Sequence, residues 1–188
     1  MATLILLLPI VPAAVAAIIA VAGWQPATAW LPTVSCLTVT GLGITLAAQV
    51  LDNGPVSTAA GQFRVDAVSA LMVILIGAVG TIASTYSVAY LRTELMAGTT
   101  TPHRARLFGA LMQLTIAAMC VVVISDNLGV LWVAIETTTI ATVLLVGHRR
   151  DRTSVEASWK YLVLGSVGVA TALMGTVLVY FVSRHSGG

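Results

Sequence analysis

The sequence has 188 residues, of which 58% are hydrophobic and only 9% are charged, and its formal net charge is +2. A water-soluble domain of this length needs more charged and polar residues to cover its surface, so the composition excludes an ordinary soluble protein. The few arginines lie in short segments between apolar runs and form no basic patch, which excludes nucleic acid as a partner. The chain is therefore predicted to be solvated by lipid.

Six apolar runs are long enough to cross the hydrocarbon core as helices. The first run lacks a basic segment before it, which favours a retained helix over a cleaved signal peptide. No internal repeat, linker or low-complexity segment divides the chain, so a single domain over residues 1–188 is predicted. The fold class is predicted to be all-α, an integral membrane bundle of about six helices. The predicted spans lie near 3–23, 30–51, 66–91, 107–124, 128–147 and 157–183.

The arginines are distributed unevenly between the two sides of such a bundle. Positive residues are retained preferentially on the cytoplasmic side, so the richer side is predicted to face the cytoplasm and both termini the outside of the plasma or inner membrane. The richer side carries Arg92, Arg104, Arg106, Arg149, Arg150 and Arg152, and the other side carries Arg64 and Arg184.

Glu136 is an acidic residue near the middle of the fifth predicted span. It lies about nine residues from one end, or roughly 13 Å deep at 1.5 Å per residue. An acidic group at that depth costs about 2.5–3.5 kcal/mol to insert, so it is expected to face a protein interior or water. Two interpretations follow: a carboxylate that exchanges protons or binds a cation, or a structural glutamic acid bonded to a neighbouring helix. Thr139 could extend a polar stripe along the same helix, although threonines commonly bond their own backbone there.

Lys160, the only lysine, lies about one turn into the sixth span. It could take part in proton transfer, or it could extend to the interface and fix the topology. Glu156, four residues earlier, is placed for an ion pair with Lys160 along the same helix. The predicted spans put Lys160 about 10 Å along the membrane normal from Glu136, which argues against a direct salt bridge between them.

The remaining charged and polar residues are interpreted structurally. Asp66 and Asp126 precede predicted helices, where an acidic group caps the helix N-terminus. His148 ends the fifth span and is an accessory candidate, either at the interface or as a point of proton entry. In the sixth span, Gly165, Gly168, Ala172 and Gly175 form a small-residue face for close helix packing.

Cofactor chemistry is not predicted in this chain. Cys36 and Cys120 lie inside apolar runs, without a spacing that suits zinc, haem or an iron–sulfur cluster. They are interpreted as small buried hydrophobic residues.

Five segments, in order on successive helices, resemble one family over about residues 63–183. This family comprises the antiporter-like proton-translocating subunits of complex I, of multi-subunit Na⁺/H⁺ antiporters and of membrane-bound nickel–iron hydrogenases, and the likeness is strongest to the hydrogenase-4 component F type. The segments are Asp-Ala-Val-Ser at 66–69, Tyr-Ser-Val-Ala-Tyr-Leu at 86–91, Asn-Leu-Gly-Val-Leu-Trp-Val-Ala-Ile-Glu-Thr-Thr-Thr at 127–139, Glu-Ala-Ser-Trp-Lys-Tyr at 156–161 and Ser-Val-Gly at 166–168.

The resemblance implies roles that spacing alone does not give. It implies that Glu136 and Lys160 correspond to the glutamate and lysine of the proton-transfer machinery, in which the lysine's charge influences protonation of the glutamate. It also implies membrane partners, and peripheral redox subunits that carry nickel–iron and iron–sulfur centres. The chain is then part of a proton path in a respiratory oxidoreductase complex; the alternatives are a non-conducting anchor subunit and a component of a cation/proton antiporter.

The chain is short for this family. Its members have about fourteen helices in two inverted repeats, whereas six predicted spans correspond to the N-terminal part of that fold. Whether the chain is a fragment or a natural short subunit stays open at this level.

Overall fold

The computed structural model describes residues 2–58, 61–149 and 152–186. Arg150, one of the arginines behind the predicted orientation, lies outside these ranges. The described residues form six α-helices that are long and apolar enough to cross a membrane, so the chain is a multi-pass membrane protein. The helices are α1 Ala2–Ala22, α2 Leu31–Asn53, α3 Ala67–Met96, α4 Pro102–Ile124, α5 Leu128–Val146 and α6 Arg152–Ser186.

Three helices are longer than their apolar runs. α3 continues to Met96, α4 already begins at Pro102 and α6 at Arg152. A count of apolar residues finds only the part of a helix that crosses hydrocarbon, whereas the backbone hydrogen bonds continue through polar residues at the interface. The structure also adds a short antiparallel hairpin between α2 and α3, with strands β1 Val56–Ser57 and β2 Arg64–Val65, which hydropathy does not predict.

Side chains at the helix N-termini explain where three helices begin. The Asp66 carboxylate accepts a hydrogen bond from the Ser69 amide at 2.8 Å, as predicted for α3. Thr101 does the same for α4 by accepting from the Arg104 amide. The expectation that Asp126 caps α5 is wrong: Asn127 is the cap, and its Oδ1 accepts from the amides of Gly129 and Val130 at 2.9 and 3.2 Å. A neutral amide oxygen one residue closer to the helix fits the cap position.

The hydrophobic core lies among α1 to α4. Its buried side chains come from all four helices and from β2. α2 and α3 approach so closely at Gly77 that an added Cβ would lie 2.7 Å from the backbone nitrogen of Thr40. Both cysteines are buried and free, as expected for small hydrophobic residues. The core contains Ile5, Leu8, Cys36, Val39, Leu46, Val50, Val65, Ala70, Val73, Ile116, Cys120 and Ile124.

The hairpin is attached to the turn between α4 and α5. Phe63 forms a β-bridge with Ser125, and the Asp126 amide donates to the Gln62 carbonyl at 2.8 Å. The Ser69 hydroxyl also donates to the Val123 carbonyl at 3.0 Å, which joins the start of α3 to the end of α4. The hairpin and this turn therefore share one end of the bundle, and the arginine-rich segments lie at the other.

α5 and α6 lie at the periphery of the bundle. α5 packs against α4 on one side and α6 on the other, and none of residues 152–183 of α6 is buried. The two helices meet at Gly165, where an added Cβ would lie 3.5 Å from the Thr139 methyl group. They meet again where the Thr142 hydroxyl lies 3.3 Å from the Tyr161 hydroxyl. Large parts of both helices thus face outward.

Candidate functional site

Glu136 lies in the middle of α5 and on the outer surface of the bundle. It is the ninth of the 19 residues of α5, about 12 Å from the start of the helix. Its side chain is exposed, between Val133 and Ile140, which are 69% and 55% exposed on the same face. Within the described ranges, no hydrogen bond or ion pair reaches its carboxyl group. The carboxyl group therefore projects from the bundle at a level where lipid would otherwise surround it.

The two neighbouring faces of α5 are occupied by this chain's own helices. Ala134 and Ala141 are buried, and Thr139 is buried against α6. Between α5, α4 and α1 an open apolar groove of about 450 Å³ is lined by Val133 and Thr137, which adjoin Glu136. The described helices do not enclose Glu136, so its carboxyl group is open to the surroundings of the bundle.

Lys160 lies at a different level from Glu136. Gly165 of α6 contacts Thr139 of α5, which puts these two residues at the same height. α5 and α6 run in opposite directions. Glu136 therefore lies three residues from Thr139 away from the arginine-rich end, and Lys160 lies five residues from Gly165 toward that end. At 1.5 Å per residue these offsets add to about 12 Å, which agrees with the separation predicted from the spans.

Lys160 also faces away from α5. Five residues at 100° each turn its side chain roughly 140° around α6 from Gly165. Its Nζ bonds the Glu156 carboxylate at 2.5 Å, and the two side chains are 69% and 62% exposed. The ion pair predicted along α6 is thus present, whereas Glu136 and Lys160 are not brought together by this chain. Their roles in proton transfer stay predictions.

The threonines of α5 bond their own helix. The Thr139 hydroxyl donates to the Ile135 carbonyl at 3.1 Å, and the Thr142 hydroxyl donates to the Thr138 carbonyl at 2.7 Å. Thr139 points toward α6, about 60° around the helix from Glu136. The hydroxyl groups are therefore already engaged with backbone carbonyls beside the Glu136 face.

His148 joins a partly buried cluster at the arginine-rich end. It lies in the 3₁₀ turn Gly147–Arg149, its ring packs edge-on against Phe108 with centroids 5.1 Å apart, and its Nε2 lies 3.5 Å from the Thr100 hydroxyl. Phe108 also packs against Tyr90, with ring centroids 6.3 Å apart, and the Tyr90 hydroxyl donates to the Glu94 carboxylate at 2.8 Å. Glu94 is only 8% exposed.

Glu94 and Gln113 are buried polar residues that sequence reasoning missed. Glu94 follows an apolar run, where a charged residue is typical of the membrane interface. The only sequence feature that indicates a bond within the helix is its four-residue spacing from Tyr90. Gln113 is fully buried in α4, where its Nε2 donates to the Pro32 carbonyl at 3.4 Å and to the Cys36 sulfur at 3.6 Å. Its signal is a single amide inside an apolar run. Gln113 therefore joins α4 to α2, whereas the bond of Glu94 to Tyr90 lies within α3, and both residues are buried away from the exposed surface of Glu136.

Electrostatic and metal-binding features outside the spans are few. The Ser69 backbone amide that bonds Asp66 lowers the pKa of that carboxyl from its ordinary value of 3.8. Across the described ranges, no three His, Cys, Asp or Glu side chains gather closely enough to hold a metal ion.

Parts of this chain are similar in sequence to known proteins. Residues 125–185 match the family described as NADH:quinone oxidoreductase/Mrp antiporter, transmembrane. The chain is 37% identical over 126 residues, 67% of its length, to a hydrogenase-4 component F homolog of Methylacidiphilum infernorum, of which it covers 26%. It is 33% identical over 118 residues, 62% of its length, to NADH-quinone oxidoreductase subunit L of Mycobacterium tuberculosis, of which it covers 17%.

The fold agrees with a solved structure. A chain of the membrane-bound sulfane sulfur reductase, an archaeal respiratory membrane complex, superposes with a TM-score of 0.74 over 95% of this chain and 37% of its own length, at 22% identity. The chain thus spans only a minor part of each of these relatives. The resemblance predicted from the motifs is confirmed: the chain is similar to membrane subunits of hydrogenase-4 and of NADH-quinone oxidoreductase and matches part of the NADH:quinone oxidoreductase/Mrp antiporter family.

Proposed function

We propose that this chain forms part of a proton-translocating membrane subunit of a respiratory oxidoreductase complex of the hydrogenase type. Its supporting observation is the position of Glu136, a carboxylic acid in the middle of α5 that faces out of the bundle without a bonding partner among the described residues. Such a group is costly in lipid, and ionisable groups at this depth mark ion pathways. The relatives are named as subunits of hydrogenase-4 and of NADH-quinone oxidoreductase, which supports the same assignment.

In this proposal Glu136 is one half of a proton-exchange site. The other half comes from helices beyond these residues, which cover the exposed face of α5. Lys160 acts through space, since about 12 Å of axial separation excludes a direct bond. Thr139 and His148 are accessory groups beside Glu136 and at the arginine-rich end.

The complex supplies the remaining chemistry. Other membrane subunits surround α5 and α6, and peripheral subunits carry the nickel–iron and iron–sulfur centres that perform electron transfer. The arginine-rich end lies in the cytoplasm and both termini lie outside the plasma membrane, because positive residues are retained on the cytoplasmic side.

Glu136→Gln tests the proposal. In inverted membrane vesicles that contain the whole complex, this variant should abolish proton uptake measured with a pH-sensitive dye. The initial rate of electron transfer should be normal, and the subunits should still co-purify. Asp126→Asn is a matched control, since it changes an exposed acid to an amide in the turn before α5. Proton uptake that is unchanged in Glu136→Gln, or equally lost in Asp126→Asn, would contradict the proposed role.

A second candidate is a non-conducting anchor. Gly168 and Gly175 have open space where a Cβ would be added, so another helix could pack closely against α6. For an anchor, Glu136→Gln would leave proton uptake intact while leucine at Gly168 or Gly175 dissociates the complex.

The third candidate is a component of a cation/proton antiporter. The same vesicles and pH-sensitive dye test it when a sodium gradient replaces the electron donor. Its signature is proton movement driven by a sodium gradient without any electron donor, and Glu136→Gln should abolish that movement. The description of the matched family names the Mrp antiporter, which supports this candidate.

A further inference from the structure

Two adjoining crevices lie at the arginine-rich end of the bundle, and both are walled by Trp24 and Gln25. The first, of about 360 Å³, runs between the α1–α2 segment and the end of α3 and is lined also by Trp30, Val88, Arg92 and Leu95. The second, of about 320 Å³, reaches the start of α4 and is lined also by Pro102, His103 and Arg106. These two spaces are called the Trp24 crevices below.

Trp24 is held firmly in place. Its indole ring lies against Gly109 of α4, where an added Cβ would be 2.7 Å from the ring carbon Cζ3. The segment behind it is fixed by the Thr28 hydroxyl, which donates to the Gly23 carbonyl at 2.9 Å and accepts from the Gln25 amide at 2.9 Å. The wall between the two crevices is therefore a preformed feature of the fold.

Both crevices carry positive charge without a neutralising acid. Arg92 is exposed and, within the described ranges, has no hydrogen bond or ion pair. The Arg106 guanidinium lies 2.8 Å from the His103 ring nitrogen and keeps further donors. No acidic residue of the described ranges lines either crevice. The acid closest in sequence, Glu94, is buried and bonded to Tyr90, about 200° around α3 from Arg92.

We propose that the Trp24 crevices bind the headgroup of an anionic phospholipid. Arginine's planar fork suits phosphate oxygens, and basic pockets between transmembrane helices recognise anionic headgroups. Trp24 and Trp30 suit the same depth, since tryptophan is favoured at the membrane interface. Val88 continues the first crevice along α3 from Arg92 toward the membrane interior, where an acyl chain can lie. Free phosphate would satisfy the arginines but leave this apolar lining empty.

Lipid retention measures the proposal directly and does not depend on proton transfer. The full chain, purified in detergent, is mixed with equal amounts of phosphatidylglycerol and phosphatidylcholine, and the bound lipids are counted by native mass spectrometry. The native chain should retain phosphatidylglycerol selectively. Arg92→Gln and Arg106→Gln should each lower that selectivity about fivefold, which corresponds to about 1 kcal/mol per basic residue at an anionic surface. The double variant should show no preference.

Two controls make the result specific. Arg64→Gln removes an exposed arginine from β2 at the opposite end of the bundle and should keep the selectivity. Gly109→Ala moves the Trp24 ring without changing any charge, and it should weaken retention while circular dichroism shows an intact helical fold.

The proposal is overturned by any of three outcomes. These are equal retention of both lipids by the native chain, an equal loss in Arg64→Gln, or release of phosphatidylglycerol by millimolar inorganic phosphate. The last outcome would assign the crevices to a soluble phosphate instead of a lipid.

Discussion

Replacing Gly77 with alanine should destabilise the bundle where α2 and α3 touch. The new Cβ would lie 2.7 Å from the backbone nitrogen of Thr40 and 3.0 Å from its Cα, as well as against its hydroxyl oxygen. Because backbone atoms of α2 stand in the way, a side-chain rotation cannot relieve the contact and the two helices must separate. Gly41 is a matched control, since it lies in α2 and has nothing within 4 Å of an added Cβ.

The expected magnitude combines two effects. Overpacking costs about 1–3 kcal/mol, whereas replacing glycine with alanine inside a helix gains about 1 kcal/mol in either variant. The propensity gain cancels when Gly77→Ala is compared with Gly41→Ala. The difference between them is then about 2 kcal/mol in the free energy of unfolding, or roughly thirtyfold in the folding equilibrium.

Unfolding in mixed micelles, followed by circular dichroism as the fraction of sodium dodecyl sulfate rises, measures this difference. Gly41→Ala should unfold at the same detergent fraction as the native chain or later, and Gly77→Ala earlier. If both variants unfold together, α2 and α3 do not make this backbone contact, and the packing of the core must be revised.

Two further predictions concern helix N-termini. Asn127→Ala should lower the free energy of unfolding by about 1 kcal/mol in the same assay, because α5 loses its cap, whereas Asp126→Ala should change it little; the reverse order would restore Asp126 as the cap. For Asp66, the folded-state pKa is lowered by the Ser69 amide, so its charge contributes stability above the unfolded value of 3.8 that is lost as pH falls through the folded value. Thermal midpoints measured from pH 7 to pH 3 should thus converge for the native chain and Asp66→Asn on acidification; a constant difference would refute the linkage.

Local properties of the sequence predicted the helices well. A transmembrane helix satisfies its own backbone hydrogen bonds, so a sufficiently long apolar run suffices to predict it. Where polar residues continue a helix, as at Arg152 of α6, hydropathy has no signal and the predicted boundary falls short. The choice of Asn127 over Asp126 as cap likewise depends on the turn's path, which the hairpin fixes through Gln62.

For the candidate site too, some features followed from the sequence and others depended on the packing of the helices. The depth of Glu136 and its separation from Lys160 followed from residue counts, because the rise per residue of a helix is constant. Which face each side chain occupies did not follow, since that depends on how α5 and α6 rotate against their neighbours. The burial of Glu94 did not follow either, and the contact of Trp24 with Gly109 joins residues that are distant in sequence.

The sequence by itself determined that the described residues include six membrane-spanning helices, one of them with a carboxylic acid at mid-membrane depth, because both properties depend on composition and length along one helix. Only the tertiary structure decided that Glu136 faces outward, that Lys160 faces away from α5, and that the arginines near Trp24 border crevices. These features depend on the packing of several helices against one another, and a pattern along a single helix does not contain that packing.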